Sequence, residues 1–289
     1  MHVVRLSLGL LLLAAPVHAE LRIVGSDLLG PGLVPALENY ARRSDVRLTS
    51  AFEGSYPGWQ QLQSGRADVA LLTFSPGQAL PAAPYVSLPL AYHMTVVLVP
   101  EVLPLGQLSF ARLTGIFGAV GGTNFSRWGD LGLSGDWAAR PIAPRAVNAG
   151  SNLATAIFRH IVLRDGLLKP TVAGPENMEG LLHGLAQAEA GGIALAAQLP
   201  PAGNGLKALA VAREENGVAF APTPENVHRG DYSLCWPVYL VFRRADAPRL
   251  FPLLRHLFGE ETAQLCGEAG LMPLPVAVRT QQIFDLEQL

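Results

Sequence analysis

LRIVGSDLLGPGLVPALENY, residues 21–40, is the stretch from which the fold is inferred. Its β-branched run Leu21–Val24 predicts a strand, and Gly25-Ser26-Asp27 predicts a turn. The apolar residues that follow fall on one face of a helix. Strand, glycine-serine turn and helix together are typical of an open α/β sheet, which binds ligands in the crevice beyond the carboxyl ends of its strands. A helix that begins there points free N–H groups at the crevice and suits an anion.

Counting this first one, the pattern occurs three times within about 55 residues. Residues 46–52 predict a second strand, and Asp68–Leu72 predicts a third. Strands alternating with short helices indicate a parallel sheet. Hydroxyl side chains follow each predicted strand end: Ser26, then Ser55, then Thr73 with Ser75. Each of these residues taken singly can be explained by helix capping or turn formation. Taken together they suggest more, because the carboxyl ends of parallel strands lie at the same edge of a sheet. We therefore expect these hydroxyls to converge.

A second group of candidate anion ligands lies near the middle of the chain. Residues 142–147 predict a short strand that carries Arg145, and residues 153–163 predict a helix. Gly150-Ser151-Asn152 opens that helix, with Ser151 as the predicted N-cap. This start would offer further backbone N–H groups to an anion.

Two β-prone segments, residues 94–99 and 232–242, predict crossings between two lobes. The first lobe would comprise residues 20–100 together with 236–289, and the second would comprise residues 101–235. Pro237 within the second crossing suits a strand edge. The predicted fold class is therefore α/β, with two lobes joined by two crossover strands.

The amino terminus has the features of a signal peptide. Residues 1–19 combine a basic start, an apolar run too short to span a bilayer and a small-x-small ending. We expect export of the protein. Only 15% of the residues are charged and the formal net charge is −2, so no basic surface for nucleic acid is expected.

Cys235 and Cys266 would share an oxidising compartment after export. A disulfide and two separate buried thiols are both compatible with the sequence. Metal binding is not expected, because no Cys-x-x-Cys or His-x-x-x-His spacing occurs.

Catalysis and cofactor binding are not expected either. The seven histidines show no spacing typical of a catalytic triad. The segment from Gly150 lacks the terminal Lys-Ser/Thr of a P-loop. Asp130 and Asp136, each near a tryptophan, are more typical of a turn and its apolar cover than of a catalytic carboxylate pair.

Over nearly the whole mature length the chain resembles the class II periplasmic binding proteins, in particular the phosphate-binding components of Pst-type ABC transporters. The segments that carry the resemblance, in order, are LRIVGSDLLGPGLVPAL, FEGSYPGWQQLQSGRADVALL, LTGIFG with NFSRWGDLGL, the Gly150-Ser151 helix start, GDYSLCWPVYLVF and AGLMPLPVAVR. The resemblance implies a periplasmic monomer whose two lobes close over an oxyanion, without a cofactor, and a partnership with ABC permease subunits.

The strand-end hydroxyls and the positions matched to the family together give the expected ligand set. It comprises Ser26, the backbone amides of Leu28 and Leu29, Ser55, Thr73, Ser75, Arg145, Gly150, Ser151 and Asn152. In the first anion loop the family prefers threonine where this chain has Leu28.

The end of the third strand also departs from the family, which carries an aspartate there that accepts the proton of hydrogen phosphate. This chain has Thr73-Phe74-Ser75, and Asp68 begins the strand at its opposite end. The sequence therefore leaves two functions open: capture of phosphate or a related oxyanion for an importer, or a sensor or scaffold with an altered or lost ligand.

Overall fold

The computed structural model describes residues 20–74, 77–147, 152–187 and 191–289. The predicted signal peptide, Ser75, Gly150 and Ser151 lie outside these described residues. Among the described residues, no helix combines the length and apolarity needed to cross a bilayer.

A six-stranded mixed sheet forms around the amino-terminal segment. Its strands are β1 (Leu21–Gly25), β2 (Leu48–Ala51), β3 (Val69–Thr73), β4 (Tyr85–Met94), β11 (Cys235–Arg243) and β12 (Met272–Pro273). Their spatial order is β12-β4-β11-β3-β1-β2. β1 pairs in parallel with both β2 and β3. The predicted parallel sheet is thus confirmed for the first three strands.

β4 differs from what its sequence predicts. The many prolines of residues 76–89 predict loops, but β4 begins at Tyr85. Pro89 is accommodated because the pairing of β4 with β11 shifts register opposite Val238 and Tyr239. A proline, which has no N–H to donate, is tolerated at such an irregularity.

Two smaller sheets belong to the middle of the chain. Their strands are β5 (Val96–Pro100), β6 (Gln107–Ser109), β7 (Ala143–Ala146), β8 (Gly192–Ala196), β9 (Leu206–Ala208) and β10 (Ala210–Ala212). The four-stranded sheet has the order β7-β8-β5-β9, and β10 pairs with β6. The apolar residues 206–212 predict a single strand, but the structure has two strands there, β9 and β10. Leu209 separates them, with its N–H bonded to Val97.

The α-helices cover these sheets. They are α1 (Gly30–Ser44), α2 (Ser55–Gln63), α3 (Phe110–Phe117), α4 (Leu153–Ile161), α5 (Met178–Gln187), α6 (Pro224–Arg229), α7 (Ala247–Leu257), α8 (Glu260–Glu268) and α9 (Val276–Glu287). Short 3-10 turns cover Asp27–Leu29, Trp128–Leu131, Gly135–Trp137 and Arg244–Asp246.

α9 was not predicted, because its opening Val-Ala-Val looks extended in sequence. In the structure it packs near α7 and α8, and its buried Arg279 bonds Glu260 at 2.6 Å and the Phe258 carbonyl at 3.4 Å.

The chain passes between the two halves at Thr95 and again just before Cys235. Thr95 alone separates β4, in the six-stranded sheet, from β5, which pairs with β8 and β9 in the four-stranded sheet. By strand pairing the switch thus occurs at Thr95, within the segment predicted to cross. The predicted lobe limits at 100/101 and 235/236 stay predictions.

The two cysteines are free thiols rather than a disulfide. Cys235 opens β11 and donates to the carbonyl of Tyr232, whereas Cys266 is buried within α8. Burial raises the pKa of the Cys235 thiol to about 11 and that of Cys266 to about 12. Of the two arrangements that the sequence left open, the structure shows separate thiols.

Candidate functional site

The ends of β1 and β3 and the start of α2 form one compact junction. The N–H of Ser26 donates to the Leu71 carbonyl at 2.9 Å, and the N–H of Gly54 donates to the Gly25 carbonyl at 2.9 Å. Two of the three predicted hydroxyl-bearing segments are therefore bound directly to the end of β1.

Glycine is required at two positions of this junction. A Cβ on Gly25 would collide with the carbonyl oxygen of Leu71, and a Cβ on Gly58 would lie 3.2 Å from the Cα of Gly25. Both contacts are with backbone, which cannot move aside cheaply. The two glycines thus let the first turn of α2 approach the end of β1.

Ser55 and Thr73 lie next to each other in this junction. The Ser55 Oγ accepts a hydrogen bond from the backbone N–H of Thr73 at 3.0 Å. That leaves the Ser55 hydroxyl hydrogen available to an acceptor. The Thr73 hydroxyl is buried, and no described residue provides it with a hydrogen-bond partner. Burial of a polar atom without a hydrogen-bond partner destabilises the protein, and a ligand that bonds to that atom removes this cost.

The turn at residues 26–29, which the resemblance predicts to be an anion loop, uses its leucine amides within the turn itself. Ser26 is buried, and its Oγ accepts from the N–H of Leu28 at 3.4 Å. The N–H of Leu29 donates to the Ser26 carbonyl at 3.1 Å. The two leucine amides proposed as anion donors thus already have acceptors, although the 3.4 Å contact is weak. The Leu28 side chain is 48% exposed.

Asp68 lies at the opposite end of β3 from Thr73, as its position in the sequence indicates. Its Oδ2 accepts from the backbone N–H of Arg22 at 2.8 Å, and its Oδ1 pairs with Arg249 Nη2 at 2.8 Å. These bonds give Asp68 a structural role at the amino edge of the sheet.

In the second half, the N-cap of α4 is Asn152. Its side-chain oxygen accepts from the N–H of Ala154 at 2.8 Å. This corrects the predicted cap at Ser151. Capping occupies the side-chain oxygen Oδ1 of Asn152, so its side-chain NH₂ is the group left for a ligand.

Arg145 lies on β7, where its backbone pairs with Ala194 of β8. Its guanidinium packs against α5, because a Cβ on Gly184 would lie 2.9 Å from Nη1. The Arg145 Nε is buried, and no hydrogen-bond partner for it exists in the part of the chain that the structure describes. A half-buried guanidinium with an unused donor is suited to an anion.

Strand register shows where the junction of β1, β3 and α2 lies in the six-stranded sheet. It lies at the same sheet edge as the end of β4 and the start of β11, where the chain crosses to the second half. Thr73 pairs with Val238 of β11, and three residues further in the same direction Cys235 pairs with Met94. Thr95 follows, and its hydroxyl donates to the Ala154 carbonyl in the first turn of α4 at 2.6 Å. The carboxyl strand ends and the start of α4 therefore flank the same crossing point.

Sequence reasoning missed the bonds that fasten the two crossings together. The N–H of Thr95 donates to the Leu234 carbonyl at 2.8 Å, and the buried Tyr232 hydroxyl donates to the Thr95 carbonyl at 2.6 Å. The polar residue Thr95 between two apolar strands was the available signal.

Comparison with known proteins finds relatives that are named as phosphate-binding proteins. The phosphate-binding protein PstS of Pseudomonas aeruginosa is 25% identical over 94% of this chain and 88% of its own length. The resemblance to Pst-type substrate-binding proteins is confirmed. No protein-family model matches the chain.

Two solved structures share the fold. A possible phosphate binding protein from Planctomyces limnophilus has a TM-score of 0.65 and 19% identity, with 92% of this chain and 98% of that one covered. An ABC-type phosphate transport receptor from Vibrio cholerae has a TM-score of 0.60 and 18% identity, with 88% and 100% covered. The two-lobed α/β class predicted from the sequence is thus confirmed.

The relatives are named as binding proteins and receptors rather than enzymes. Within the described ranges, no group of three or more histidine, cysteine, aspartate or glutamate side chains could hold a metal ion.

His93 is buried, and burial alone lowers its pKa to about 4.

Proposed function

We propose that this protein captures phosphate or a related small oxyanion between its two lobes and delivers it to an ABC importer in the periplasm. One observation carries the proposal. The polar ends of β1 and β3 and the start of α2 lie at the sheet edge from which the crossovers leave.

Each lobe has hydrogen-bond donors for which the described residues provide no acceptor. The first offers the Ser55 and Thr73 hydroxyls, and the second offers the Asn152 amide and the Arg145 Nε. Hydrogen bonds from hydroxyl and guanidinium groups to a charged oxygen are worth about 1.5–3 kcal/mol each. Ser26 helps to shape the turn, and Ser75, Gly150 and Ser151 stay sequence-based candidates.

The named relatives support transport rather than a sensor or scaffold. Both the Pseudomonas protein and the Vibrio protein bear phosphate in their names, and the latter is called an ABC-type transport receptor. Export through residues 1–19, periplasmic location and a monomeric state remain predictions from the sequence.

The end of β3 favours weak discrimination between phosphate and sulfate. A carboxylate in an oxyanion site accepts the proton of hydrogen phosphate. It disfavours sulfate, which has no proton, because two hydrogen-bond acceptors would then face each other. Thr73 occupies that strand end here, and its hydroxyl both donates and accepts. We therefore expect phosphate and sulfate to bind with similar affinities.

Calorimetric titration of the mature protein with phosphate and with sulfate at the same ionic strength tests the proposal. Binding of either anion supports an oxyanion site, and Ser55→Ala should weaken it at least tenfold, as expected for loss of one hydrogen bond to a charged group. Tight phosphate binding with no sulfate binding would assign selection to a carboxylate elsewhere. Absence of binding by both anions would favour the ligandless scaffold.

A further inference from the structure

A cavity of about 390 Å³ opens between the two lobes beside the proposed anion site. The six-stranded-sheet half and the segment that leads into β11 supply most of its wall, and α4 and the segment after β10 supply the rest. Its lining residues include Phe74, His160, Arg213, Cys235, Trp236 and Tyr239. Small-molecule sites in proteins typically have volumes of about 300–1,000 Å³, so the cavity has room for an organic group.

The cavity lies directly next to the end of β3. Phe74 follows Thr73 in the chain, so their Cα atoms are about 3.8 Å apart. A ligand whose anionic group bonds Thr73 would thus have its remaining atoms within reach of Phe74. Inorganic phosphate has no such atoms and would leave the cavity unused.

Aromatic rings form the walls. The Phe74 and Tyr239 rings have centroids 5.8 Å apart, and the His160 and Trp236 rings have centroids 6.0 Å apart in an edge-on arrangement. The second pair joins the two lobes, because His160 belongs to α4 and Trp236 to β11. Planar rings between such walls gain stacking or edge-to-face contacts beyond simple burial.

Two donor side chains at the cavity have no hydrogen-bond or ion-pair partner within the described ranges of the chain. The Trp236 Nε1 is buried, and the described residues offer it no hydrogen-bond partner. Arg213 forms no ion pair with any described carboxylate. Its positive charge disfavours a cationic ligand group, which an aromatic cage would otherwise suit. The cavity therefore favours a planar group that carries hydrogen-bond acceptors.

We propose that the cavity binds the aromatic or heteroaromatic part of an organic phosphomonoester whose phosphoryl group occupies the anion site. This inference rests on the proposed function and narrows its ligand class from inorganic oxyanions to aryl-type phosphoesters. Trp236 and Phe74 select the organic part, whereas Ser55, Thr73 and Arg145 bind the phosphoryl oxygens.

Calorimetry with phenyl phosphate and methyl phosphate tests the inference, because the two probes share the phosphoryl group and differ in the ring. Phenyl phosphate should bind at least tenfold more tightly. Trp236→Leu should reduce that ratio to below about threefold while leaving the affinity for methyl phosphate unchanged. Trp137→Leu is the matched control, because Trp137 stacks on Arg140 away from the cavity, and it should keep the wild-type ratio.

Phe74→Leu provides a second variant in case Trp236→Leu does not fold, and it should reduce the ratio in the same direction. Equal binding of the two esters by the wild-type protein would overturn the inference and leave the proposed function intact. An unchanged ratio in both cavity variants would overturn it as well. Failure of phosphate, methyl phosphate and phenyl phosphate alike to bind would overturn both proposals.

Discussion

Thr73→Val should change stability and ligand affinity in opposite directions. The Thr73 hydroxyl is buried without a partner among the described residues, and valine has nearly the same shape. A buried hydroxyl without a partner costs about 1–3 kcal/mol, so its removal should raise the free energy of unfolding of the ligand-free protein by about 1 kcal/mol. The same hydroxyl should donate to the bound anion, and a bond to a charged group is worth about 1.5–3 kcal/mol. Phosphate affinity should therefore fall by about 10- to 150-fold.

Urea unfolding without phosphate and calorimetric titration with phosphate measure the two effects. Thr262→Val is the matched control, because the buried Thr262 hydroxyl donates to the His256 carbonyl at 2.9 Å. That variant should lose about 1 kcal/mol of stability and keep its phosphate affinity. The reasoning fails if Thr73→Val is destabilised like Thr262→Val, or if it binds phosphate as well as the wild-type protein does.

Four further outcomes follow from individual side chains. Arg145→Ala should weaken phosphate and sulfate binding by similar factors, at least tenfold, since a guanidinium supplies charge to every oxyanion; a change in their ranking by calorimetry would contradict this. Asp68→Asn should lower the free energy of unfolding by about 1–3 kcal/mol and leave phosphate affinity unchanged, whereas weakened binding would place Asp68 in the site. The pKa of His93 is about 4 in the fold against its ordinary 6.5, so the unfolded chain takes up the proton first as pH falls. Stability present above pH 6.5 should thus decline by roughly 3 kcal/mol towards pH 4, and urea unfolding of His93→Asn should show a correspondingly shallower decline. Thiol titration of denatured, unreduced protein should find both Cys235 and Cys266, and the native protein should react slowly because burial raises both pKa values; fewer than two thiols would indicate a disulfide.

The first half of the fold could be predicted because its signals are local. A β-branched run followed by Gly25-Ser26 specifies a strand and a tight turn, and this pattern repeats at short intervals. Parallel pairing of β1, β2 and β3 then brings Ser55 next to Thr73, although these residues are 18 apart in the chain. Periodicity and strand direction predict that these hydroxyls lie at one sheet edge, but not which of them touch.

Elements that depend on distant partners were predicted less well. β4 contains Pro89, which is tolerated only because β11 shifts register opposite it. α9 begins with β-branched residues and is held by the bonds of Arg279 to residues near α8. The state of the two cysteines likewise depends on where β11 and α8 lie. None of these features has a local signature.

The candidate site shows the same division between local and distant effects. Which hydroxyls gather at the sheet edge follows from strand direction, but which of them is unused depends on single hydrogen bonds. The leucine amides of the first anion loop are already bonded within their turn, whereas the Thr73 hydroxyl is not bonded by any described residue. Sequence spacing cannot distinguish these two situations.

The position of the proposed anion site beside the crossover would couple binding to lobe closure. The start of α4 is capped by Asn152, and two residues later the Ala154 carbonyl accepts the Thr95 hydroxyl. Thr95 is also bonded through its N–H and carbonyl to the chain that enters β11. An anion that bonds the start of α4 therefore acts within one helical turn of the segment where both crossings are fastened. Because the other lobe presents Ser55 and Thr73 at the same edge, an anion that bonds both sides favours the arrangement in which the lobes are close, by the difference in its affinity for the open and closed states.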